Sequence, residues 1–240
     1  MTMRLGIVTI PRQLPPGAVM TDHFIAFAQK VEALDFHGLW VTDAFGRGRA
    51  TMDPLSTLGL LCGVTKKIEL GTCVIQVPIR HPVEHAHRVQ TINLLSGGRF
   101  RFGVGTGSTK ADFDVVQADF EKRFKVLPEM LEAMQRTWRG EPVYGPAVSV
   151  WPGTEGGPQM MLGAWRSPRW INLAARLDGW ISSGIHSKLE DHYCPEFSER
   201  TVPKCLTYNG FSTILGGVGL KLVAVCPTLV RGGLTHERRK

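Results

Sequence analysis

Apolar positions along this chain fall into short blocks that alternate between two periods. Residues 5–10 form a mostly apolar run closed by Pro11, which predicts a buried strand. A proline-rich loop follows. Phe24, Phe27, Ala28, Val31 and Leu34 then recur at helical spacing, with Thr21 or Asp22 as the expected N-cap. Gly38 ends that helix, and residues 39–43 read as a second strand. Asp53-Pro54 has the form of an N-cap with proline in the first turn, so a helix is expected over 55–64, apolar on most of its faces. The same alternation predicts a strand at 68–77, a helix at 83–95, a strand at 100–104, a helix at 120–138, a strand at 159–162, a helix at 168–177 and a strand at 179–182. Gly97 and Gly98 stop the third helix, and the strand after it opens into a loop at Gly105 and Gly107. Residues 140–158, rich in glycine and proline, read as an irregular excursion.

Strands and helices that alternate in this way, with apolar strands and short turns, require a parallel sheet covered by helices. A doubly wound sheet and a barrel both satisfy the pattern. Beyond about residue 186 the rhythm is lost. Residues 197–210 show no clean helical period, and 218–226 could form a seventh strand. The domain division expected is therefore a β/α core over 1–186 and an atypical tail over 187–240, either completing the core by other contacts or foreign to it.

Composition narrows the class. At 240 residues with 43% hydrophobic content, the chain has ample material for a core. No segment approaches the roughly 18 uninterrupted apolar residues of a membrane span, and the N-terminus runs straight into a strand without the features of a signal peptide. Five cysteines, an odd number without paired spacing, point to a reducing compartment, and a cytoplasmic protein is expected. The net charge of +7 is spread among acidic residues rather than gathered with aromatics, which describes solvated surface and not a nucleic-acid patch.

Several segments carry a resemblance. Ser96-Gly97-Gly98-Arg99-Phe100 followed by Gly103-Val104-Gly105 resembles the fourth-strand signature of the bacterial luciferase-like flavin oxidoreductases. Residues 34–43, the Gly71-Thr72-Cys73-Val74 strand with Arg80-His81-Pro82 after it, and residues 174–180 resemble the same superfamily. A Rossmann reading of Gly103, Gly105 and Gly107 fails on context, because no helix opens on the last glycine and no acidic residue ends a following strand. The resemblance covers about residues 4–186. It implies a TIM-type (β/α)8 barrel, incomplete or open here after the sixth strand. It also implies FMN, or alternatively coenzyme F-420, as cofactor.

In such a barrel the site lies at the carboxyl ends of the strands. Asp43 is the first candidate, since a carboxylate ending an apolar strand needs a donor and a flavin ring edge offers N–H groups. The competing reading is a cap or an ion pair to Arg47 or Arg49. Cys73 and Val74 stand where the resemblance implies a non-proline cis peptide behind the ring. Gly105, Thr106, Gly107 and Ser108 supply a glycine-rich loop, and Gly163, Ala164 and Arg166 stand where it implies the cofactor phosphate. Ser182 and Ser183 end the sixth strand. Family members often place a histidine directly after the aspartate; here that position is Ala44, so no catalytic residue is assigned. Cys73 has no base near it in sequence and reads as a small buried residue. His81, Glu84, His85 and His87 crowd one helix start, but no further ligand cluster accompanies them and no metal is expected.

The function expected from the resemblance is a monooxygenase that uses reduced FMN and dioxygen on a small organic substrate. The alternatives are F-420-dependent hydride transfer and a flavin-binding or vestigial barrel without turnover. The partners expected are the substrate and dioxygen, with a homodimer as the assembly to test, and neither nucleic acid nor membrane.

Overall fold

The structure is a computed structural model that describes residues 4–10, 19–48, 50–164, 167–183, 204–208, 213–215 and 218–225. In chain order its elements are β1 (Arg4–Thr9), α1 (Met20–Ala33), β2 (Gly38–Val41), α2 (Pro54–Val64), β3 (Glu69–Thr72), β4 (Ile75–Gln76), α3 (Pro82–Leu95), β5 (Phe100–Gly105), α4 (Lys110–Asp114), α5 (Arg123–Trp138), β6 (Gln159–Gly163), α6 (Pro168–Ala174), β7 (Gly179–Ser183), β8 (Lys204–Tyr208), β9 (Thr213–Leu215) and β10 (Val218–Val225). The sheet runs β1-β2-β3-β5-β6-β7-β8, parallel throughout, with the short β4 also on β5.

As a (β/α)8 barrel this is incomplete, as the sequence implies. The parallel run ends at β8, and the next strand, β10, lies antiparallel to it. The β10 strand also covers the outer edge of β1, in antiparallel register from Arg4↔Val225 to Thr9↔Leu220, so that edge is paired rather than bare. The predicted strand at 218–226 is therefore present. The β8 strand falls within residues 197–210, which show no clean helical period.

Other boundaries differ for identifiable reasons. The predicted third strand breaks into β3 and β4 around a cis peptide at Cys73–Val74. Helix α1 starts at Met20, before Thr21 or Asp22 could cap it, and Val19 stands at its N-cap position without a side-chain bond. Helix α5 starts at Arg123 because the Asp119 carboxylate takes the N–H groups of Glu121 and Lys122 into a turn. The polar loop after β5 contains the unanticipated α4. At α2 the expected cap is made: Asp53 Oδ1 accepts from the Ser56 N–H at 2.7 Å.

Two apolar layers result. Between strands and helices, Leu39, Leu70, Phe100, Phe102 and Leu162 pack against Phe24, Leu58, Leu61, Val89, Leu131 and Trp138. Inside the ring of strands a smaller cluster holds Val8, Trp40, Met161 and Ile181. Trp40 dominates it. A Cβ at Gly71 would lie 2.2 Å from the indole, so the absence of a side chain there is what admits the ring.

Candidate functional site

At the carboxyl ends of the strands, polar side chains gather into one connected network. Asp43 follows β2 with its carboxylate turned toward the segment after β4. Arg80 donates to it through both terminal nitrogens, Nη1 to Oδ2 at 2.7 Å and Nη2 to Oδ1 at 2.9 Å. The Gln76 backbone N–H donates to Oδ2 at 2.9 Å, and the Gln76 carbonyl accepts from Arg80 Nη1 at 2.8 Å. Asp43 thus pairs with Arg80 and not with Arg47, while Arg49 lies outside the described residues. A bidentate guanidinium is the strongest neutraliser available to a buried carboxylate.

Arg47 is engaged elsewhere. Its Nε and Nη2 reach Asp112 Oδ2 at 2.8 and 2.6 Å. The other oxygen of Asp112 accepts from the Phe45 backbone N–H at 3.1 Å, and Gln76 Nε2 donates to Oδ2 at 2.9 Å. A wholly buried carboxylate therefore ties together the loop after β2, the end of β4 and α4. Gly46, at φ +53°, lies so close to the Ala111 carbonyl that a Cβ would be 2.6 Å from its oxygen.

Beside this network lies a floor of small groups. Val74 spreads across the ends of β5 and β6: a Cβ at Gly105 would come within 2.6 Å of its Cγ2, and one at Gly163 within 2.9 Å of its Cγ1. Strand register places Gln76 opposite Gly105 at the same level. Thr42, Cys73, Val74, Thr106, Gly107 and Gly163 are each partly exposed, while Ala164 is buried.

Among the candidates from the sequence, Asp43, Cys73, Val74, Gly105, Thr106, Gly107, Ser108, Gly163 and Ala164 all sit at this end of the sheet, with Ser108 exposed. Two of them acquire packing roles. At Gly107 (φ +79°) a Cβ would meet Gln76 Oε1 at 2.6 Å and the Phe113 ring at 2.8 Å, and at Gly105 the space belongs to Val74. The Ala164 N–H already donates to the Ile181 carbonyl at 3.3 Å, and its carbonyl accepts from Trp180 Nε1 at 2.9 Å, so that amide is not open to a phosphate. Arg166 and the side chains of Ser182 and Ser183 lie outside the described residues. Arg80 and Asp112 were not singled out from the sequence. Arg80 was visible only as part of the Arg-His-Pro motif, and nothing in the polar run around Asp112 marks it as buried.

The histidine-rich turn disperses. His81 caps α3, its Nδ1 accepting from the Glu84 N–H at 3.4 Å, and Glu84 pairs with Arg88. His85 is buried against Phe102. Burial, then the charges of Arg80 and Arg88, push its pKa down to about 3, so it is neutral at physiological pH. Among the described residues no three His, Cys, Asp or Glu side chains gather as a metal site requires. At the opposite end of the barrel, burial acts to raise the pKa of Glu69, but the His37 hydrogen bond and the Arg101 charge outweigh it and leave it below the usual value.

Comparison with known proteins decides the class. Residues 3–194 match the luciferase-like monooxygenase family. The chain belongs to that family. Among curated relatives, 4-hydroxyprotoasukamycin monooxygenase of Streptomyces nodosus subsp. asukaensis is 31% identical over 121 residues, 50% of this chain and 33% of the relative. A 5,10-methylenetetrahydromethanopterin reductase of Methanolobus tindarius is 28% identical over 171 residues, 68% of this chain and 50% of the relative. The chain thus spans a third to a half of the length of these relatives.

Solved structures share the fold. A type II Baeyer-Villiger monooxygenase component from Pseudomonas putida, in complex with FMN, superposes with a TM-score of 0.63 at 18% identity, over 76% of this chain and 57% of that one. The coenzyme F-420-dependent tetrahydromethanopterin reductase of Methanopyrus kandleri gives a TM-score of 0.60 at 19% identity, over 76% of this chain and 56% of that one. A monooxygenase from Streptomyces bottropensis gives 0.67 at 19%, over 77% and 61%. Among the described residues no helix is long and apolar enough to cross a membrane.

Proposed function

We propose that this luciferase-like family member is a flavin-dependent oxidoreductase that uses reduced FMN and dioxygen to oxygenate a small organic substrate. The observation that carries the reading is the floor at the carboxyl ends of β4, β5 and β6. There Val74 bridges Gly105 and Gly163 beside buried acceptors, on a fold whose relatives work with flavin-type cofactors. These residues fit a planar, largely apolar ring with polar groups along one edge: small side chains lie below it and a hydrogen-bonding network stands beside it. When bound, the flavin supplies the redox chemistry.

The chain's own residues bind and orient it. Val74 and the two glycines set the level at which a ring rests. Asp43, neutralised by Arg80, fixes the backbone of Gln76 rather than offering a free carboxylate. Ala44 brings no imidazole to the network, and Asp43 and Asp112 are each engaged by an arginine, so no proton-transfer role is assigned to these positions. Oxygen transfer from a reduced flavin places less demand on a protein base here than F-420-dependent hydride transfer does. The latter remains the second reading because a methanopterin reductase covers 68% of the chain. We further infer a cytoplasmic protein, in keeping with the unpaired thiol of Cys62, with residues 187–240 as an atypical tail whose strands β8 and β10 join the sheet.

The test is a titration of the purified protein with FMN and, separately, with F-420, followed by fluorescence. Binding of FMN together with dioxygen consumption on reduction supports the reading. Binding of F-420 alone selects the second reading, and FMN binding without turnover a flavin-binding barrel.

A further inference from the structure

The strands form a closed ring, because β10 pairs with β8 along one side and with β1 along the other. In order round the ring stand β1, β2, β3 with β4, β5, β6, β7, β8 and β10. The path from β5 to β10 is equally long in both directions, so β10 lies straight across the mouth from Gly105, over which Val74 spreads. Register on β1 fixes how deep each residue of β10 sits. Leu220 is opposite Thr9, the last residue of β1, and Lys221 is opposite Val8. Directly paired residues of antiparallel strands share a face of the sheet. Val8 belongs to the cluster inside the ring with Trp40, Met161 and Ile181. Lys221 thus holds an inward register position, next to the rim at which β1 ends. No other residue in 213–225 carries a charge.

A lysine at such a position is stable only where water or an anion lies within its reach. Among the described residues, the two buried carboxylates at this end, Asp43 and Asp112, are each engaged by an arginine. On the flavin reading above, the ring lies over Val74, and the substrate is the molecule between that ring and β10. We propose that Lys221 recognises a carboxylate on the substrate. The inference rests on the flavin reading for the place of the ring and on strand register for the place of Lys221.

Two cysteine pairs test the placement in the full chain, Arg4→Cys/Val225→Cys and Leu5→Cys/Ala224→Cys. Neighbouring pairs in antiparallel strands alternate between hydrogen-bonded and closer non-hydrogen-bonded ones, and the closer kind suits a disulfide. At least one pair should therefore cross-link within a monomer. Cross-links from neither pair, or only between chains, overturn the proposal.

Recognition is read as shielding of bound FMN from acrylamide quenching by octanoate and by 1-octanol, which differ in charge at similar length. F-420 takes the place of FMN if it alone binds. Octanoate is expected to shield wild type at about 10-fold lower concentration, within the range of one hydrogen bond to a charged group. Lys221→Met should lose that preference while 1-octanol shields as before, and Lys221→Arg should keep it; a merely structural role would move both ligands together. Equal shielding of wild type, preference for 1-octanol, or no shielding by either overturns the proposal whichever variants fold. A folded Lys221→Met that still prefers octanoate overturns it as well. Should Lys221→Met instead lose a wild-type preference for FMN over riboflavin, its anion is the cofactor phosphate and the substrate assignment falls. Absence of binding by both FMN and F-420 overturns the flavin reading itself, and the same two ligands followed by tryptophan fluorescence then decide on Lys221.

Discussion

The ion pair between Arg47 and Asp112 should be energetically lopsided, and the lopsidedness can be measured. Asp112 has no side-chain exposure, whereas the side chain of Arg47 is 40% exposed. Arg47→Met removes the counter-charge and leaves a buried carboxylate with only two neutral donors, the Phe45 N–H and Gln76 Nε2. An uncompensated buried charge costs about 3–5 kcal/mol; because the Arg47 end already meets water, we expect about 2–4 kcal/mol. Asp112→Asn keeps the shape and one acceptor oxygen. It strands only an arginine that can turn into solvent, so about 1–2 kcal/mol is expected.

The double variant decides the matter. If the cost of Arg47→Met is the orphaned charge, neutralising that charge relieves it, and Arg47→Met/Asp112→Asn should be no less stable than Asp112→Asn within about 0.5 kcal/mol. Urea denaturation of the four proteins closes the cycle. In a chain of this size Arg47→Met should lower the melting temperature by roughly 5–15 °C. Additive single costs would refute the reasoning, as would an Arg47→Met change below about 0.5 kcal/mol. Either result would mean that Asp112 is hydrated and that the loop after β2 is not tied down by it.

Other residues make independent expectations. His85 is neutral when folded, with a pKa of about 3 against an ordinary value near 6.5, so between those limits the unfolded chain binds more protons. Stability should therefore fall as pH drops below about 6.5, by about 2 kcal/mol at pH 5, and His85→Gln should flatten that slope in urea midpoints taken from pH 7 to 5; an unchanged slope would assign it to other groups. Gly103→Ala should prevent folding, because its Cβ would lie 1.9 Å from the Thr72 carbonyl oxygen. Gly59→Ala, in the middle of α2 with only Ile92 Cδ1 at 3.6 Å, should instead stabilise by about 0.5–1 kcal/mol. Thermal melts distinguish the pair, and a tolerated Gly103→Ala would contradict the packing of β3 on β5. Asp43→Asn should weaken FMN binding through the released Gln76 backbone, with the protein still folded by circular dichroism; unchanged affinity would make the Asp43–Arg80 pair purely structural.

What could be read from the sequence follows from the range of the forces involved. Strand and helix positions were legible because each depends on apolar residues repeated within a few positions, and the Asp53 cap because its partner Ser56 is three residues away. The polar network was not, because the bonds made by its carboxylates join residues 33 to 67 positions apart, such as Gln76 with Asp43 or Phe45 with Asp112. Asp43 itself was identifiable as a strand-ending carboxylate, but its partner was not. Arg47 and Arg49 are nearer in sequence, and only the path of the chain through β4 delivers Arg80. Gly105 and Gly107 were recognisable as obligatory glycines for the wrong neighbour. The groups pressed against them are Val74, Gln76 and Phe113, which no local pattern reveals.

The filling of the barrel decides where any ligand must lie. The Trp40 indole occupies the interior over Gly71, with Gly6 and Gly38 also giving it room, and Val8, Met161 and Ile181 close around it. Gly103 cannot widen this space, because the Thr72 carbonyl fills the position of its missing side chain. On the flavin reading proposed above, a flat ring would therefore lie across the strand ends, over Val74. The same filling explains why the ion pairs at the two ends differ in meaning. Glu69 and Arg101 pair at the amino end beneath Trp40, whereas Asp43 and Asp112 pair with Arg80 and Arg47 at the carboxyl end, where the site of such a barrel lies.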